Sequence, residues 1–473
     1  MMTVEVLTGP PGCGKSTILR QEAVSRRGHY IFAYPTAKLI KEQLAAFRQA
    51  MPASGDVIEA HSASPGREVV QKKLQTAQER VAQTGSRHTI VLTTHASLMG
   101  CDMSGFQGWH FRIDEAPEAI QSGIEKSKIV RSFLEQHFEL ESEASGDWRG
   151  IRLKATATPA TWKTDDGLSK GQAELLNKAQ RPNTVFVNTR NFSGSFDWVS
   201  VWSPHVLESI AASVTIAGAS YESSVGALVA QDYVRFQKRP IPMNRTGQPL
   251  IRIHYFTQGH EGSTALWSQS EGRAFTVKLC DYLVANAPGL GFWAANEPVA
   301  NLLEHRVAGL HLSPKAAGQN AHRNETSCAF IYSAQPTPQD RPLKELFRLT
   351  DNQIRIARQD EDVLQFVMRG AIRNAAYEGP YDIYLYSRSQ AERLETQLTG
   401  SGVGFVELHP ADAGFMDATR SSDSRVVQKP DRVTSQTGKL VKAASAKRTA
   451  RRHQKAQANG RIPGKVGRPP KVI

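Results

Sequence analysis

The chain of 473 residues carries 58 Lys and Arg against 45 Asp and Glu, a formal net charge of +13, with 40% hydrophobic and 22% charged residues. That composition excludes a fibrous repeat or a chain disordered throughout. No run of about 18 apolar residues offers a membrane span, and the start Met1–Leu7 has neither the basic nor the apolar segment of a secretory signal.

Four widely spaced cysteines (Cys13, Cys101, Cys280, Cys328) form no C-x-x-C pair, which favours a reducing cytoplasm over a disulfide framework or zinc knuckle. The N-terminal half alternates short apolar runs with helical stretches, as βα units do. Val4–Leu7 reads as a strand, followed by a Gly-rich turn and a helix from about Ser16. His29–Ala33 reads as a second strand and Thr36–Phe47 as a helix with Thr36 as N-cap. Thr89–Leu92, Phe111–Ile113 and Val214–Ala217 supply three more strands, and the polar stretch Gly123–Arg181 reads as an irregular insertion or peripheral layer. Lys238–Arg245, rich in Pro and Arg, reads as the start of a linker over 238–250. A second alternating set follows, with strands at Ile251–Phe256, Gly291–Ala294, Ala329–Tyr332 and Ile383–Tyr386 and helices near Arg273–Ala287 and Val363–Asn374. The expected fold is α/β: two units, 1–237 and 251–412, each a parallel sheet flanked by helices with ligands at the strands' carboxyl ends. Residues 413–473 are expected to form a disordered tail. The segment 420–473 holds 15 of the 58 basic and 2 of the 45 acidic residues, leaving 43 of each over 1–419. With no Phe, Trp or Tyr it lacks apolar surface to offset ordering entropy, so it reads as a polyanion-binding tail or simply a solubilising one.

Gly9-Pro10-Pro11-Gly12-Cys13-Gly14-Lys15-Ser16, followed by Thr17, matches the phosphate-binding pattern G-x-x-x-x-G-K-S/T between a strand and a helix. The glycines let backbone N–H groups turn inward around phosphates, and the helix N-terminus adds positive potential. Lys15 would reach the β- and γ-phosphates of ATP, and the Ser16 hydroxyl would bind Mg²⁺. Asp114 and Glu115, ending a strand 99 residues after Lys15, suit a second metal ligand and a general base for the attacking water.

These motifs, in this order, resemble those of superfamily 2 helicases and translocases, and the resemblance covers about residues 1–410. It implies two tandem RecA-like P-loop domains with ATP and Mg²⁺ between them. Tyr34–Leu44 looks like the family's P-T-x-x-L-x-x-Q segment and Thr93–Leu98 like its T-H-x-x-L segment. The resemblance assigns Pro35, Thr36, Thr94 and His95 to the nucleic-acid backbone. Ser313–Asn320 resembles motif V, which adds Gly318 and Asn320 to the nucleotide site. Gln365–Arg373 resembles motif VI, which adds Gln365, Arg369 and Arg373 to catalysis. Arg369 and Arg373 are four apart, so one predicted helix would carry both on one face. The second Arg follows Gln365 by eight residues instead of the usual seven, so which arginine is the finger stays open. The coupling motif S-A-T has two candidates, Ala155–Pro159 and Ala217–Ser220, of which the second ends the clearer strand.

Lys465–Lys471 resembles an AT-hook core with Val466 in place of its first Arg, which points Arg468 at a narrow A·T minor groove. A merely basic, proline-bearing end is the alternative. The expected partner is therefore nucleic acid, DNA foremost, with no membrane. The compact chain fits a helicase of phage or plasmid type acting in replication or recombination. The rival readings are a DNA-packaging motor and an ATP-switched DNA-binding regulator.

Overall fold

Seven strands drawn from the first 240 residues build one wholly parallel sheet. The computed structural model describes residues 1–52, 55–61, 67–126, 130–158, 168–190, 194–315 and 322–419. In chain order the strands of this first lobe are β1 (Met2–Thr8), β2 (His29–Tyr34), β3 (Asp56–Glu59), β4 (Thr89–Thr94), β5 (Trp109–Asp114), β11 (Ala211–Ala217) and β12 (Val234–Pro240), numbered with the insertion's β6–β10 between. Their order across the sheet is β12-β1-β11-β5-β2-β4-β3. Helices cover both faces, so central strands read as nearly continuous apolar runs; β2 is buried from Tyr30 to Tyr34. β3 and β12 lack such runs because they are the sheet's edges. The linker expected from Lys238 therefore starts later: Lys238, Arg239 and Pro240 pair with Val6, Leu7 and Thr8 of β1. A proline is tolerated there because an edge strand needs no further ladder partner.

Two polar residues in central β5 have local partners. Arg112 lies over the Tyr30 ring at 5.5 Å and donates to Ser213 Oγ at 3.0 Å, and His110 Nδ1 shares the same hydroxyl at 2.8 Å.

Among its described residues the insertion is β-structure and not an irregular layer, and it runs on past Arg181 to Val201. β6 (Ile120–Lys126), β7 (Phe138–Ser145), β8 (Trp148–Leu153), β9 (Thr184–Asn188) and β10 (Ser195–Val201) form an antiparallel sheet in the order β6-β10-β9-β8-β7. Helices Val130–His137 and Lys170–Ala179 bury Phe133, Leu134, Leu175 and Leu176 against it. Gly123 is required by packing: a Cβ there would sit 2.7 Å from the Trp198 ring.

The second lobe repeats the parallel α/β plan with β13 (Leu250–Thr257), β14 (Phe292–Ala295), β15 (Leu310–His311), β16 (Ser327–Ile331), β17 (Pro380–Ser387) and β18 (Phe405–Pro410), ordered β15-β14-β16-β17-β13-β18. The two lobes are thus tandem α/β units with parallel sheets, the fold class expected. Packing runs past residue 412: Ala411 and Phe415 are buried in the core of this lobe. Residues 420–473 lie outside the described residues.

The insertion docks on the second lobe. Trp148, Val199 and Val201 pack with Val229 of the first lobe and with Leu343, Leu349 and Ile354 of the second. The Trp148 indole Nε1 donates to Glu345 Oε2 at 3.0 Å. Trp148→Ala should destabilise the protein by about 3–5 kcal/mol, the range for truncating a buried Trp. Trp148→Phe should cost clearly less, because it keeps a ring in place although it loses the hydrogen bond to Glu345. Chemical denaturation of both variants checks the ordering.

Candidate functional site

The carboxyl end of the first sheet opens into a cleft of about 770 Å³ lined by both lobes. Its floor is the turn after β1. Gly9, Gly12 and Gly14 have φ of 147°, 88° and 92°, a region that favours glycine. Gly14 caps the helix Lys15–Ser25 without a side-chain hydrogen bond, so the first-turn N–H groups have no capping side chain. Pro11, Gly12, Gly14, Lys15, Ser16 and Thr17 line the cleft. Gly9, Pro10 and Cys13 belong to the same turn but do not line the cleft. The Lys15 ammonium donates to the carbonyls of Gly9 (2.6 Å) and Pro10 (3.0 Å) and lies 3.7 Å from Cys13 Sγ.

Ser16 Oγ donates to Asp114 Oδ1 at 2.6 Å. A hydroxyl and a carboxylate side by side are hard oxygen donors of the kind Mg²⁺ takes alongside phosphate oxygens. Among the described residues no group of three or more His, Cys, Asp or Glu could hold a metal by itself. The set therefore fits a cation completed by phosphate and water. Asp114 is buried, and burial raises its pKa.

Glu115 stands at φ 67°, a costly conformation for a residue with a Cβ. Its N–H donates to the Ala217 carbonyl at 2.8 Å, which ties the turn to β11. Burial, then Asp114, then Glu361 raise its pKa to about 7 against the pull of Lys15 and Arg373. Ala217 and Ala219 line the cleft, which sets the segment Ala217–Ser220 at the site. The other candidate for that motif, Ala155–Thr158, follows β8 in the insertion, and its Pro159 lies outside the described residues.

The second lobe brings Glu361, Gln365, Arg369 and Arg373 to the cleft. The single helix expected over Val363–Asn374 does not form. The helix runs Asp351–Val367, fixed at its start by a Thr350–Gln353 capping box, and Arg373 sits in a separate 3₁₀ turn, Ala371–Arg373. Gly370 lies where a Cβ would clash with the Tyr381 hydroxyl, so the chain turns there against β17. The two arginines consequently part company. Arg373 reaches the phosphate loop: a Cβ on Gly12 would lie 3.0 Å from Arg373 Cγ. Arg369 is buried, packs over the Phe366 ring at 5.2 Å and donates to the Ser313 carbonyl at 3.4 Å. Burial lowers the pKa of both guanidiniums. Sequence reasoning missed Glu361. It lies one helical turn before Gln365, whose amide Nε2 donates to Glu361 Oε1 at 2.7 Å. Its only signal was the i,i+4 spacing on the motif-bearing helix.

The residues expected at a nucleic-acid backbone divide. Thr36 is exposed and caps the helix Ala37–Ala50 through Leu39 N, beside half-buried Pro35. Thr94 caps the short helix His95–Gly100 and accepts from Ser97 N at 3.2 Å. His95 is not placed for a strand contact: it is buried, and its Nε2 meets the Asp114 carbonyl at 2.9 Å. It braces the carboxylate turn instead. Gly318, Asn320 and Arg468 lie outside the described residues.

Burial lowers the His95 pKa from 6.5 to about 4. The unfolded chain takes up that proton near pH 6.5 while the folded chain resists it until about 4, so the contribution of His95 to stability falls as pH drops through that window, against the opposite contribution of Glu115 with its raised pKa. At roughly 1.4 kcal/mol per unit the full loss is about 3 kcal/mol. His95→Gln, whose amide can still donate to the Asp114 carbonyl, should remove that contribution, so that between pH 6.5 and 4 the variant gains about 3 kcal/mol relative to wild type in chemical denaturation.

No family model matches the chain and no curated protein matches it. Among solved structures it is similar to one titled XPD_Helicase, at 9% identity and a TM-score of 0.46 over 86% of this chain and 96% of that one. It is also similar to S. tokodaii Xpd4, at 10% identity and 0.45 over 86% and 96%, and to S. cerevisiae Dbp5 bound to RNA and ADP BeF3, at 9% and 0.36 over 87% and 86%.

Proposed function

We propose that the chain is an ATP-dependent DNA helicase or translocase that hydrolyses ATP in the cleft between its lobes. The observation that carries this reading is Arg373 of the second lobe lying on Gly12 of the phosphate loop. With Ser16–Asp114 and Glu115 in the same cleft, hydrolysis depends on both lobes. A site split in this way lets each turnover open and close the lobes.

Backbone N–H groups of Gly12 and Gly14 would cradle the phosphates, and Lys15 would leave its loop carbonyls for the β- and γ-phosphates. Ser16 and Asp114 would hold Mg²⁺, which when bound neutralises charge on the transferring phosphoryl group. Glu115 takes the proton of the attacking water, and Gln365 offers a hydrogen bond beside it. Arg373 stabilises the charge that develops on the γ-phosphoryl oxygens.

The strand would run over the Pro35–Thr36 and Thr94 turns, where a capped helix start suits a phosphate. The charge of segment 420–473 suits either polyanion, and DNA is favoured over RNA by the AT-hook-like stretch Lys465–Lys471 with its Arg468. Deleting 420–473 should leave turnover at saturating DNA intact. Each phosphate neutralised by the tail adds about −0.9 to the slope of log affinity against log salt, so a tail that neutralises about five would on deletion flatten the slope by about 4 to 5. An unchanged slope would remove the tail from DNA binding. Equal affinity losses on A·T-rich and G·C-rich duplexes would remove the minor-groove role of Arg468. To separate unwinding from translocation, a forked duplex and a triplex are compared with and without ATP. Displacement of the triplex strand alone marks a translocase. Failure on both substrates despite ATP binding marks a switched DNA-binding protein and rejects the motor.

A further inference from the structure

The segment between the lobes does more than connect them. At its start Ile241 N donates to the Thr8 carbonyl at 2.7 Å, and its own carbonyl lies 2.5 Å from where a Cβ on Gly9 would be. Four residues later the Arg245 guanidinium faces the turn that carries Arg373. Its Nη1 donates to the Ile372 carbonyl at 2.5 Å, its Nη2 to Asn374 at 3.0 Å and Tyr377 at 3.3 Å, and its Nε to Gly247 at 3.2 Å. Next to it, Thr246 N and Gly247 N both donate to the Ala375 carbonyl, and a Cβ on Gly247 would lie 2.5 Å from the Tyr377 carbonyl. Four residues span at most about 14 Å. The phosphate loop and the arginine turn are therefore tied to a short tether at both ends.

We propose that Arg245 is a positioning residue for hydrolysis: it clamps the 372–377 turn to the linker and so sets where the Arg373 guanidinium lies over the phosphate loop. The proposal rests on reading the cleft as an ATP-hydrolysis site. Only a planar guanidinium has donors enough, in a fixed fork, to bridge these carbonyls; an ammonium keeps the charge but not the fork. Arg245 does not line the cleft, so its loss should act on the finger and not on ATP binding.

Steady-state ATP hydrolysis at saturating DNA is measured for wild type, Arg245→Ala, Arg245→Lys, Arg373→Ala and the Arg245→Ala/Arg373→Ala double variant. Displacing a catalytic group by about 1 Å can cost as much as 100-fold, so both Arg245 variants should lose roughly 10- to 100-fold in kcat. KM for ATP should stay within about twofold, as for a group that acts only on the transition state. In the double variant the Arg245 change should cost nothing further, because the finger it positions is gone. Full turnover in Arg245→Lys overturns the proposal, as does a loss confined to KM or a loss that recurs undiminished in the Arg373→Ala background. If Arg245→Ala does not fold, Arg245→Lys and its double with Arg373→Ala decide by the same criteria. A wild-type chain that hydrolyses no ATP rejects the hydrolysis site itself, and the positioning role with it. Normal wild-type turnover with an unaffected Arg245→Lys rejects the positioning role alone.

Discussion

Arg373→Ala should lower DNA-stimulated ATP turnover by about a thousandfold or more while leaving ATP affinity within a few-fold. An arginine that meets the transferring phosphoryl group contributes roughly 10³ to 10⁵ in related systems, because it acts on charge present only in the transition state. The structure distinguishes the two candidate arginines. Arg373 rests against Gly12, whereas Arg369 is buried on Phe366 and bonded to the Ser313 carbonyl. Arg369→Ala should therefore act mainly on the second lobe's stability, since it strips a buried cation from its partners. Turnover and thermal unfolding measured on both variants separate the roles. A larger turnover loss at position 369 with an intact fold would exchange them.

Glu115→Gln should lower turnover by about 10² to 10⁴, the range for removing a general base, and leave ATP bound. The amide has the carboxylate's shape, so the backbone at φ 67° and the bond to Ala217 keep their geometry. Ser16, Asp114 and Lys15 are untouched, so nucleotide affinity should hold. Filter binding of labelled ATP beside single-turnover hydrolysis checks both halves. Hydrolysis at the wild-type rate would take the base role from Glu115.

The parts legible in the sequence are those with a local physical cause. Val4–Leu7, His29–Ala33 and Thr89–Leu92 sit in the interior of a sheet covered on both faces, so their apolar runs stand out; the structure extends them to Met2–Thr8, His29–Tyr34 and Thr89–Thr94. Thr36 caps its helix because a side-chain oxygen must satisfy Leu39 N at that start, a rule written in four residues. Edge strands were hidden for the opposite reason. Val234–Pro240 buries few side chains and ends in Lys-Arg-Pro, which reads as a linker until its pairing with β1 is seen. The insertion's strands are hidden because their apolar residues are spread among polar ones and serve two cores: Phe138 and Trp198 face the insertion's own, and Trp148 faces the second lobe.

At the site, Lys15, Ser16, Asp114 and Glu115 were legible because strand-turn-helix geometry places them by chain connection alone. The split between Arg369 and Arg373 was not. It depends on the chain turning at Gly370 against Tyr381, a contact from a strand about ten residues further on. His95 misled because its position in a motif says nothing of its burial under the Asp114 carbonyl. Arg245 gave no signal, since its partners are backbone carbonyls that any sequence could supply.

The central claim is that two lobes share one hydrolytic site governed by nucleic acid. It is tested most directly by the rate of ATP hydrolysis by the full chain with and without single-stranded DNA, measured for wild type, Lys15→Ala and Arg373→Ala. Hydrolysis that DNA stimulates in wild type, that disappears when the first-lobe lysine is removed and that falls about a thousandfold or more when the second-lobe arginine is removed, is the predicted result. Hydrolysis indifferent to DNA, or stimulated turnover that survives the loss of Arg373, would contradict it.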